Sequence, residues 1–405
     1  MPVQVVTQRS RGFICVNAHP EGCARNVERQ VEEAQAALHS PAGATPARLA
    51  GIRNALVIGG STGYGLASRV ALGWGYGART LSVFFERPPE GDRTATAGWY
   101  NTVAFHHLAQ RDGLQAASLN ADAFSDEAKR AAVEILKREM APVDLVVYSL
   151  ASPKRTHPRT GVTHNSTLKP IGKAYTNKTI DLATRKVQEI TVEPASEQEI
   201  ADTVAVMGGE DWKFWIETLL EEGLLAKGAR TIAYSYIGPT LTWPIYWDGT
   251  IGRAKLDLEK TARELEALLA QRVGGNAWIS VNKAIVTQAS AAIPVVPLYM
   301  SLLFKVMKQE EIDEDAAAQM RRLYLQLQAP GEEMVLDGAH RIRLDDREMR
   351  ADVQAEIAIL WPQVTTENLL ELSDFAGFDR GFKNLFGFEV EGVDYVNPVE
   401  TDVHW

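Results

Sequence analysis

The first candidate for chemistry is a tyrosine followed nine positions later by a lysine, Tyr246 and Lys255, in the segment YWDGTIGRAKLDLE. A phenol can donate a hydrogen bond to an oxygen that gains negative charge, and a fixed ammonium nearby favours that charge. A helix turns about 100° per residue, so positions nine apart point to opposite sides of one straight helix. The two side chains can meet only if the tyrosine lies on a loop before the helix.

The residues between this pair predict such a loop. Asp248 and Gly249 form a turn signal. Thr250 is a candidate helix N-cap, and good helix formers begin only after Gly252. The spacing is therefore compatible with a shared site. The plainer interpretation, a packed loop aromatic followed by a solvated helix lysine, also stays open.

A second motif, VIGGSTGYGLASR, runs an apolar strand directly into glycines and a new helix. Glycines are needed where a backbone approaches a pyrophosphate, because a Cβ would occupy the space, and the N–H groups of the new helix then face the anion. The pattern is Gly59-x3-Gly63-x-Gly65. Alone it is a weak signal, but after the first strand of an α/β alternation it predicts dinucleotide binding.

Carboxylates follow the next two strands. Glu86 ends the strand TLSVFFE, where it can accept both hydroxyls of an adenosine ribose and repel a 2′-phosphate. NADH is therefore favoured over NADPH, although the adjacent Arg87 would suit a 2′-phosphate. Asp122 follows the third strand and is placed either to hold an adenine ring or to cap the helix that starts near Ser125.

The scaffold that must position these residues is predicted by alternating apolar runs and helical patterns. The runs NALVIGG, TLSVFFE, DLVVYSLA, ARTIAYSYIG and AWISVNKAIV are apolar on both faces, and helical patterns such as DEAKRAAVEILKREM lie between them. Strands of this kind form a parallel sheet covered by helices on both sides. We therefore predict a doubly wound α/β protein of the Rossmann type, preceded by a helix over residues 24–38.

Two stretches depart from this alternation. Residues 154–200 contain KAYTNKTIDLATRKVQEITVE, which alternates like a hairpin and predicts either a lid inserted after the fourth core strand or a surface excursion without a role. Residues 284–304 are nearly free of charge, but Pro294 and Pro297 would break a spanning helix. They predict a buried core or pocket element and no membrane span.

Composition narrows the remaining classes of protein. The 405 residues carry a net charge of −10, which disfavours binding to nucleic acid. Cys15 and Cys23 make neither a disulfide framework nor a zinc site, and no histidine pairs with a carboxylate at metal-ligand spacing. No G-x-S-x-G elbow and no signal peptide are present. We therefore expect a cytoplasmic protein without a metal that acts on small soluble ligands.

These segments together resemble one family. YSYIGPTLTWPIYWDGTIGRAKLDLE resembles the active-site segment of enoyl-acyl-carrier-protein reductases, and its eight residues between tyrosine and lysine resemble the V-type enzymes and the related trans-2-enoyl-CoA reductases. RGFICVNAHPEGC, GGSTGYGLASR, VYSLASPKR, VMGGEDW, VNKAIVTQASAAIPVVPLY and FGFEVEGVDY resemble the same family. The similarity implies one elaborated domain over residues 1–405, with a Rossmann core at about 50–311 and a C-terminal extension over 312–405. It also implies a monomer.

The resemblance implies a reaction and a role for each matching residue. Members reduce the trans-2 double bond of an enoyl thioester with NADH, the last step of the fatty-acid elongation cycle, on acyl-carrier protein or alternatively on CoA. Tyr246 would be the catalytic tyrosine, Tyr236 would contact the acyl substrate, and Lys255 would hold the cofactor ribose. The other residues expected to contact NADH are Gly59, Gly60, Ser61, Thr62, Gly63, Tyr64, Phe85, Glu86, Asp122, Ala123, Leu150, Ala151, Ile285, Val286 and Thr287.

Two other functions stay open. A dehydrogenase or epimerase that acts on sugars or alcohols would share the glycine turn but should show Tyr-x3-Lys, which the sequence lacks. A non-catalytic NAD-binding protein would have no need for the tyrosine and lysine of the first motif. The carrier is also open: an acidic carrier protein needs a local basic patch. The candidates for that patch are Lys305 and Lys308, or Lys169 and Lys173.

Overall fold

Seven parallel strands form the central sheet of the computed structural model, which describes residues 3–11, 14–38, 51–327 and 334–405. The strands in chain order are β1 Val3–Gln4, β2 Ser10–Arg11, β3 Ile14–Cys15, β4 Asn54–Ile58, β5 Arg79–Phe84, β6 Ala116–Asn120, β7 Val143–Tyr148, β8 Lys154–Thr156, β9 Thr163–Asn165, β10 Tyr175–Asp181, β11 Lys186–Val192, β12 Leu225–Ser235, β13 Asn276–Val281, β14 Arg341–Arg343 and β15 Val399–Glu400.

The order of strands across this sheet is β14-β13-β12-β7-β4-β5-β6, and every neighbouring pair is parallel. The chain runs outward from β4 to β6 at one edge, returns to β7 beside β4, and then runs outward the other way. Because the connections on the two sides diverge, a crevice forms at the carboxyl ends of β4 and β7. The predicted Rossmann topology is confirmed.

Helices cover both faces of the sheet. In chain order they are α1 Pro20–Leu38, α2 Gly63–Val70, α3 Ala97–Arg111, α4 Asp126–Glu139, α5 Glu197–Met207, α6 Glu210–Glu221, α7 Thr250–Val273, α8 Gln288–Ala291, α9 Val296–Gln309, α10 Ala316–Gln326, α11 Ala351–Gln363, α12 Leu369–Leu372 and α13 Phe375–Asn384. A π-helical turn, Ala71–Gly75, continues α2. Helix α1 starts four residues before the predicted position 24, since proline is well tolerated in a first helical turn.

Strand β4 shows why its sequence had to be apolar throughout. Leu56 and Ile58 pack into the cluster that contains residues of α4, α6 and α7, whereas Ala55 and Val57 pack into the cluster that contains residues of α2 and α10. All four side chains are fully buried. Alternate residues thus face opposite layers, as expected for a parallel strand in a doubly wound sheet.

The insert over residues 154–200 contains the predicted hairpin. Strands β10 and β11 pair antiparallel, with Tyr175 opposite Val192 and Asp181 opposite Lys186. The hairpin packs on the rest of the chain, because Thr179 Oγ1 accepts a hydrogen bond from the amide of Val295 at 3.2 Å. The hairpin thus contacts the segment before α9, and its role as a lid stays a prediction.

The C-terminal region contributes more to the sheet than its sequence suggested. Strand β14 is the seventh strand of the sheet and pairs parallel with β13. Its three residues, Arg-Ile-Arg, were not predicted because a short edge strand with two charged residues lacks an apolar run. The predicted start of the Rossmann core, about residue 50, lies outside the described residues.

The second half of the apolar stretch over residues 284–304 is buried, as predicted, whereas Gln288 and Ala289 are exposed. The whole stretch contains a loop, the short helix α8 and most of α9, and residues 295–303 of this stretch are buried throughout. Among the helices in the described parts of the chain, none is long and apolar enough to cross a membrane.

Candidate active site

Two glycines of the turn between β4 and α2, Gly59 and Gly65, have no room for a side chain. A Cβ on Gly59, whose φ is +88°, would lie 2.1 Å from a backbone oxygen that follows β7. A Cβ on Gly65 would lie 2.0 Å from the Gly59 carbonyl oxygen. The side chain of Thr62, the N-cap of α2, makes no capping bond, and Leu66 donates the first helical bond to the Thr62 carbonyl. The amides before Leu66 therefore lack helical partners and form the anion-binding end expected for a pyrophosphate.

Glu86 lies against this turn. Its Oε1 accepts a hydrogen bond from Ser61 Oγ at 2.7 Å and lies 2.0 Å from the position where Gly98 would carry a Cβ. The Asn120 side chain fixes its backbone, accepting from the Glu86 amide at 2.7 Å and donating to the Glu86 carbonyl at 2.8 Å. Burial raises the pKa of Glu86, while hydrogen bonds from Thr96 and Ser61 oppose that shift. The carboxylate is thus held against the glycine turn by hydrogen bonds to its side chain and its backbone.

The loop after β6 is the predicted adenine contact. Ser125 caps α4, because its Oγ accepts from the amide of Ala128 at 3.0 Å. Asp122 instead accepts from the amide of Phe124 at 3.0 Å, so its interpretation as the helix cap is wrong. The neighbouring aromatic at the end of β5, Phe85, is 78% exposed and leaves its ring open to a ligand.

A buried ion pair stabilises the loop after β6. Lys129 Nζ donates to the carbonyls of Ala123 and Phe124, at 3.1 and 3.2 Å, and to Asp211 Oδ1 at 2.7 Å. Trp215 Nε1 also donates to the Ala123 carbonyl, at 3.1 Å. The only sequence signal was a lysine on the apolar face of α4. Removing one partner of such a pair costs about 3–5 kcal/mol, because the other charge stays buried.

Tyr246 lies on the turns before α7, as the spacing to the lysine required. The helix begins at Thr250 with Gly249 as its N-cap, so the prediction that Thr250 is the cap was wrong. The Thr250 hydroxyl instead donates to the carbonyl of Thr167 at 2.5 Å. A Cβ on Gly252 would lie 1.7 Å from a backbone oxygen of the turn, so the turn packs directly on the helix.

The side chains of Tyr246 and Lys255 are buried and make few hydrogen bonds. Among the described residues, nothing accepts a hydrogen bond from the Tyr246 hydroxyl, and burial raises the pKa of this phenol. Lys255 Nζ donates to the carbonyl of Tyr234 at 3.1 Å and has no carboxylate partner in the described parts of the chain. Burial lowers the pKa of Lys255 to about 8. The site thus offers a neutral phenol and a cation that both have bonding capacity left.

Tyr236 lies beside Tyr246, with ring centroids 5.0 Å apart and planes at 78°. Its hydroxyl donates to Glu348 Oε1 at 2.9 Å. Burial and the Glu348 charge raise the pKa of Tyr236. Glu348 was missed in the sequence because it follows the unpredicted strand β14 within a run of charged residues.

A cavity of about 910 Å³ opens beside the glycine turn. The predicted cofactor residues that line it are Thr62, Gly63, Glu86, Ile285, Val286 and Thr287. The Thr287 methyl carbon lies 3.8 Å from where Gly63 would carry a Cβ, so the loop after β13 faces the turn. The predicted residues outside its lining are Gly59, Gly60, Ser61, Tyr64, Phe85, Asp122, Ala123, Leu150, Ala151, Tyr236, Tyr246 and Lys255.

Two of these residues connect loops around the crevice. A side-chain carbon of Leu150 lies 3.2 Å from where Gly59 would carry a Cβ, which joins the loops after β4 and β7. The Tyr64 hydroxyl donates to the carbonyl of Lys283 at 2.7 Å, which joins the start of α2 to the loop after β13.

In the described parts of the chain, no three His, Cys, Asp or Glu side chains are placed to hold a metal ion.

A parallel sheet with this glycine turn and a carboxylate at the end of the next strand defines a Rossmann-type, dinucleotide-dependent oxidoreductase. Three family models match the chain: Trans-2-enoyl-CoA reductase catalytic region over residues 93–327, NAD(P)H binding domain of trans-2-enoyl-CoA reductase over residues 5–91, and Enoyl reductase FAD binding domain over residues 336–399. The chain belongs to the family of NADH-dependent enoyl reductases, which confirms the resemblance seen in the sequence.

Individual relatives match over nearly their whole length. A protein from Flavobacterium johnsoniae named enoyl-acyl-carrier-protein reductase (NADH) is 54% identical over 391 residues, which are 96% of each chain. One of the same name from Coxiella burnetii is 52% identical and covers 98% of this chain and 96% of its own. The trans-2-enoyl-CoA reductase of Treponema denticola, solved with NAD, has a TM-score of 0.92, 45% identity and coverage of 99% of this chain and 98% of its own. The enzyme of Clostridium acetobutulicum, solved with NADH, has a TM-score of 0.92, 39% identity and 98% coverage of both chains.

The segment matched to the FAD-binding model does not fit a second dinucleotide. Asp352 lies in the first turn of α11, and the side chain of Asp374 accepts from the amide of Gly377 at the start of α13. A pyrophosphate would meet these carboxylates in place of free amides. Strand β14 is followed by residues 344–350, which contain no glycine. We therefore assign no step of the reaction to FAD.

Proposed function

We propose that this chain reduces the trans-2 double bond of an enoyl thioester carried by acyl-carrier protein, the last step of the fatty-acid elongation cycle. A CoA thioester is the alternative substrate. The observation that carries the proposal is the buried Tyr246 phenol, which has no described hydrogen-bond partner and lies on the turn before the Lys255 helix. A non-catalytic NAD-binding protein would have no use for this arrangement. The names of the relatives support either carrier.

In this proposal NADH supplies the hydride, and the chain binds and orients it. The turn residues Gly59, Gly60, Ser61, Thr62, Gly63 and Tyr64 would bind the pyrophosphate and adenosine. Phe85, Glu86, Asp122 and Ala123 would contact the adenosine. Leu150, Ala151, Lys255, Ile285, Val286 and Thr287 would contact the nicotinamide half. The fit rests on the free amides of α2 and on the space that the glycines leave.

Tyr246 would stabilise the negative charge that develops on the thioester oxygen when hydride reaches C3. A neutral phenol donates well to such an oxygen, and burial keeps competing water away from it. Lys255 would hold the cofactor ribose and, as a cation on the helix that follows the Tyr246 turn, favour charge on or near the phenol. Tyr236, whose ring lies edge-on to Tyr246, would contact the acyl group.

The carrier would dock at a basic patch on the insert. Lys169, Lys305 and Lys308 already bond to carboxylates or a carbonyl of this chain. Lys173 is exposed and makes no ion pair in the described parts of the chain, so it is available to pair with an acidic partner. We further propose that the chain works as one domain over residues 1–405, as a cytoplasmic monomer.

The test is NADH oxidation with one short enoyl chain presented on acyl-carrier protein and on CoA. We expect a higher kcat/KM on the carrier protein, and Lys173→Glu should lower that value about tenfold without affecting the CoA reaction. Lys186→Glu, at the distal end of the hairpin, is the matched control. A flat trace with both thioesters, while NADH still binds, would favour the non-catalytic alternative.

A further inference from the structure

Glu348 connects three segments at the carboxyl ends of the sheet strands. Its Oε1 accepts from the hydroxyls of Tyr236 and Tyr299, at 2.9 and 2.7 Å. Its Oε2 accepts from the amide of Ala284 at 2.7 Å. The side chain is fully buried. These donors belong to the residue after β12, to α9 and to the loop after β13, so one carboxylate from the C-terminal region fixes all three.

The bonding pattern is that of an ionised carboxylate. All three described partners of Glu348 can donate to an ionised carboxylate, and their hydrogen bonds oppose the rise in the pKa of Glu348 that burial causes. The nearby Lys283 is engaged elsewhere, because its Nζ contacts Asp313 Oδ1 at 2.8 Å and the Glu314 carbonyl at 3.1 Å. The charge is therefore balanced by two phenols and one amide, and each of these donors is held in a fixed orientation.

The hydrogen bond to Glu348 limits the role that Tyr236 can have in the reaction. Its only proton is donated to Glu348, so its hydroxyl has no proton to give to a substrate. Its ring, by contrast, is held 5.0 Å from the Tyr246 ring in an edge-on arrangement. Such aromatic pairs restrict each other's orientation. The Tyr246 side chain, whose hydroxyl lacks a hydrogen-bond partner among the described residues, gains its orientation from that ring.

We infer that Glu348 is a positioning residue for the reduction: it fixes Tyr236, and Tyr236 in turn holds the Tyr246 phenol at the angle needed by the thioester oxygen. The inference rests on the proposed role of Tyr246. It assigns no proton transfer to Tyr236 or to Glu348. It also gives the C-terminal region a part in the chemistry, through a residue outside the sequence motifs that point to the site.

A double-mutant cycle tests this chain of contacts. In Glu348→Gln, one amide oxygen cannot serve both the phenols and the Ala284 amide, so we expect kcat to fall about tenfold with NADH affinity within about twofold. Tyr236→Phe should lower kcat by a similar factor. The double variant should be about as slow as either single variant, since both changes break the same link.

Two controls separate positioning from general destabilisation. Tyr299→Phe removes the other phenol from the same carboxylate oxygen but leaves the Tyr236 contact, so kcat should change less than about twofold. Asp345→Asn alters a second buried carboxylate of the same segment, whose described side-chain partner is Arg343, and should leave kcat unchanged. Thermal unfolding and NADH fluorescence titration check each variant.

Several outcomes would overturn the inference: a double variant about a hundredfold slower than the parent, Tyr299→Phe as slow as Tyr236→Phe, or Glu348→Gln at full speed. If Glu348→Gln does not fold, the comparison of kcat for Tyr236→Phe with kcat for Tyr299→Phe still tests the inference. A parent protein that oxidises no NADH would refute the proposed function instead, so the two failures are distinguishable.

Discussion

The two halves of the crevice are built by different means. On the cofactor side, between β4 and β6, the backbone defines the site, and glycines such as Gly59 and Gly65 have no space for a Cβ. On the side proposed for the substrate, between β12 and β14, polar side chains define it, chiefly the buried Glu348 and the partly buried Tyr236 that donates to it. The first half tolerates almost no added volume. The second half depends on charges and hydrogen bonds whose replacement need not change the shape of the site.

This difference has a physical cause. A pyrophosphate is bound by many backbone amides at once, so the chain only has to bring its backbone close. A developing enolate is a single charge in a small space, and it needs few donors that are fixed in advance. On the cofactor side, substitutions that add volume should therefore abolish NADH binding. On the substrate side, substitutions that keep the volume of the side chain should lower kcat.

Gly65→Ala should have the largest effect. Its Cβ would lie 2.0 Å from the Gly59 carbonyl oxygen, so the turn must shift. We expect kcat/KM for NADH to fall about 10³-fold, mostly through lost binding. Gly75→Ala is the control, because among the described residues no atom beyond its chain neighbours and its own helical backbone lies within 4 Å of the new Cβ. Normal NADH titration of the Gly65 variant would mean that the turn can relax, and the steric account of this half would then fail.

Tyr246→Phe should slow turnover without changing the shape of the site. Loss of one donor to a developing oxyanion typically lowers kcat about 10²–10³-fold, and the NADH dissociation constant should stay within about twofold. Tyr76→Phe is the matched control, since the Tyr76 hydroxyl is buried without a partner in the described parts of the chain. Near-normal turnover of the Tyr246 variant would return this residue to the role of a packed aromatic.

Lys255 should give the site a pH dependence. Because burial lowers its pKa to about 8, the amine loses its proton as pH rises through that value, and NADH affinity should fall above it. Lys255→Met should bind NADH about tenfold more weakly and without this pH dependence. The measurement is NADH fluorescence titration from about pH 6 to 9.5. A pH-dependent loss of affinity in the methionine variant would assign the titration to another group.

The contribution of Lys255 to protein stability should rise with pH, whereas NADH affinity should fall. The ordinary pKa of a lysine is 10.5, so between about 8 and 10.5 the unfolded chain binds more protons at this residue than the folded chain. The contribution of Lys255 to the free energy of unfolding therefore rises with pH in this window. Weaker NADH binding above pH 8 without a lower melting temperature would separate deprotonation from unfolding.

Glu86→Ala should have the smallest effect, a change in preference without loss of activity. Removing the carboxylate removes ribose hydrogen bonds and the repulsion of a 2′-phosphate, so the ratio of kcat/KM for NADH to that for NADPH should fall about tenfold. Glu90→Ala, an exposed carboxylate on the same loop, is the control. An unchanged ratio would show that Glu86 does not discriminate, and would direct attention to Arg87.

Sequence patterns predicted the cofactor half better than the substrate half. The apolar strand, the glycines and the carboxylate after the next strand are local features, and a local pattern suffices when the backbone itself forms the site. The position of Tyr246 before α7 also followed from helix geometry alone. The cap of α7 was predicted one residue late, since Gly249 leaves no side-chain signal and Thr250 bonds to a carbonyl of the distant insert.

The amino-acid sequence by itself determined the parallel sheet, the glycine turn, the hairpin and the turn that separates Tyr246 from the lysine helix. Each of these depends on residues close together in the chain. Only the tertiary structure placed Glu348 against Tyr236, 112 positions away, and Lys129 against Asp211, 82 positions away. Both are buried charges whose partners come from other elements. Charged residues in a sequence resemble surface residues until the fold removes them from water, because their role depends on which donors the packing brings to them.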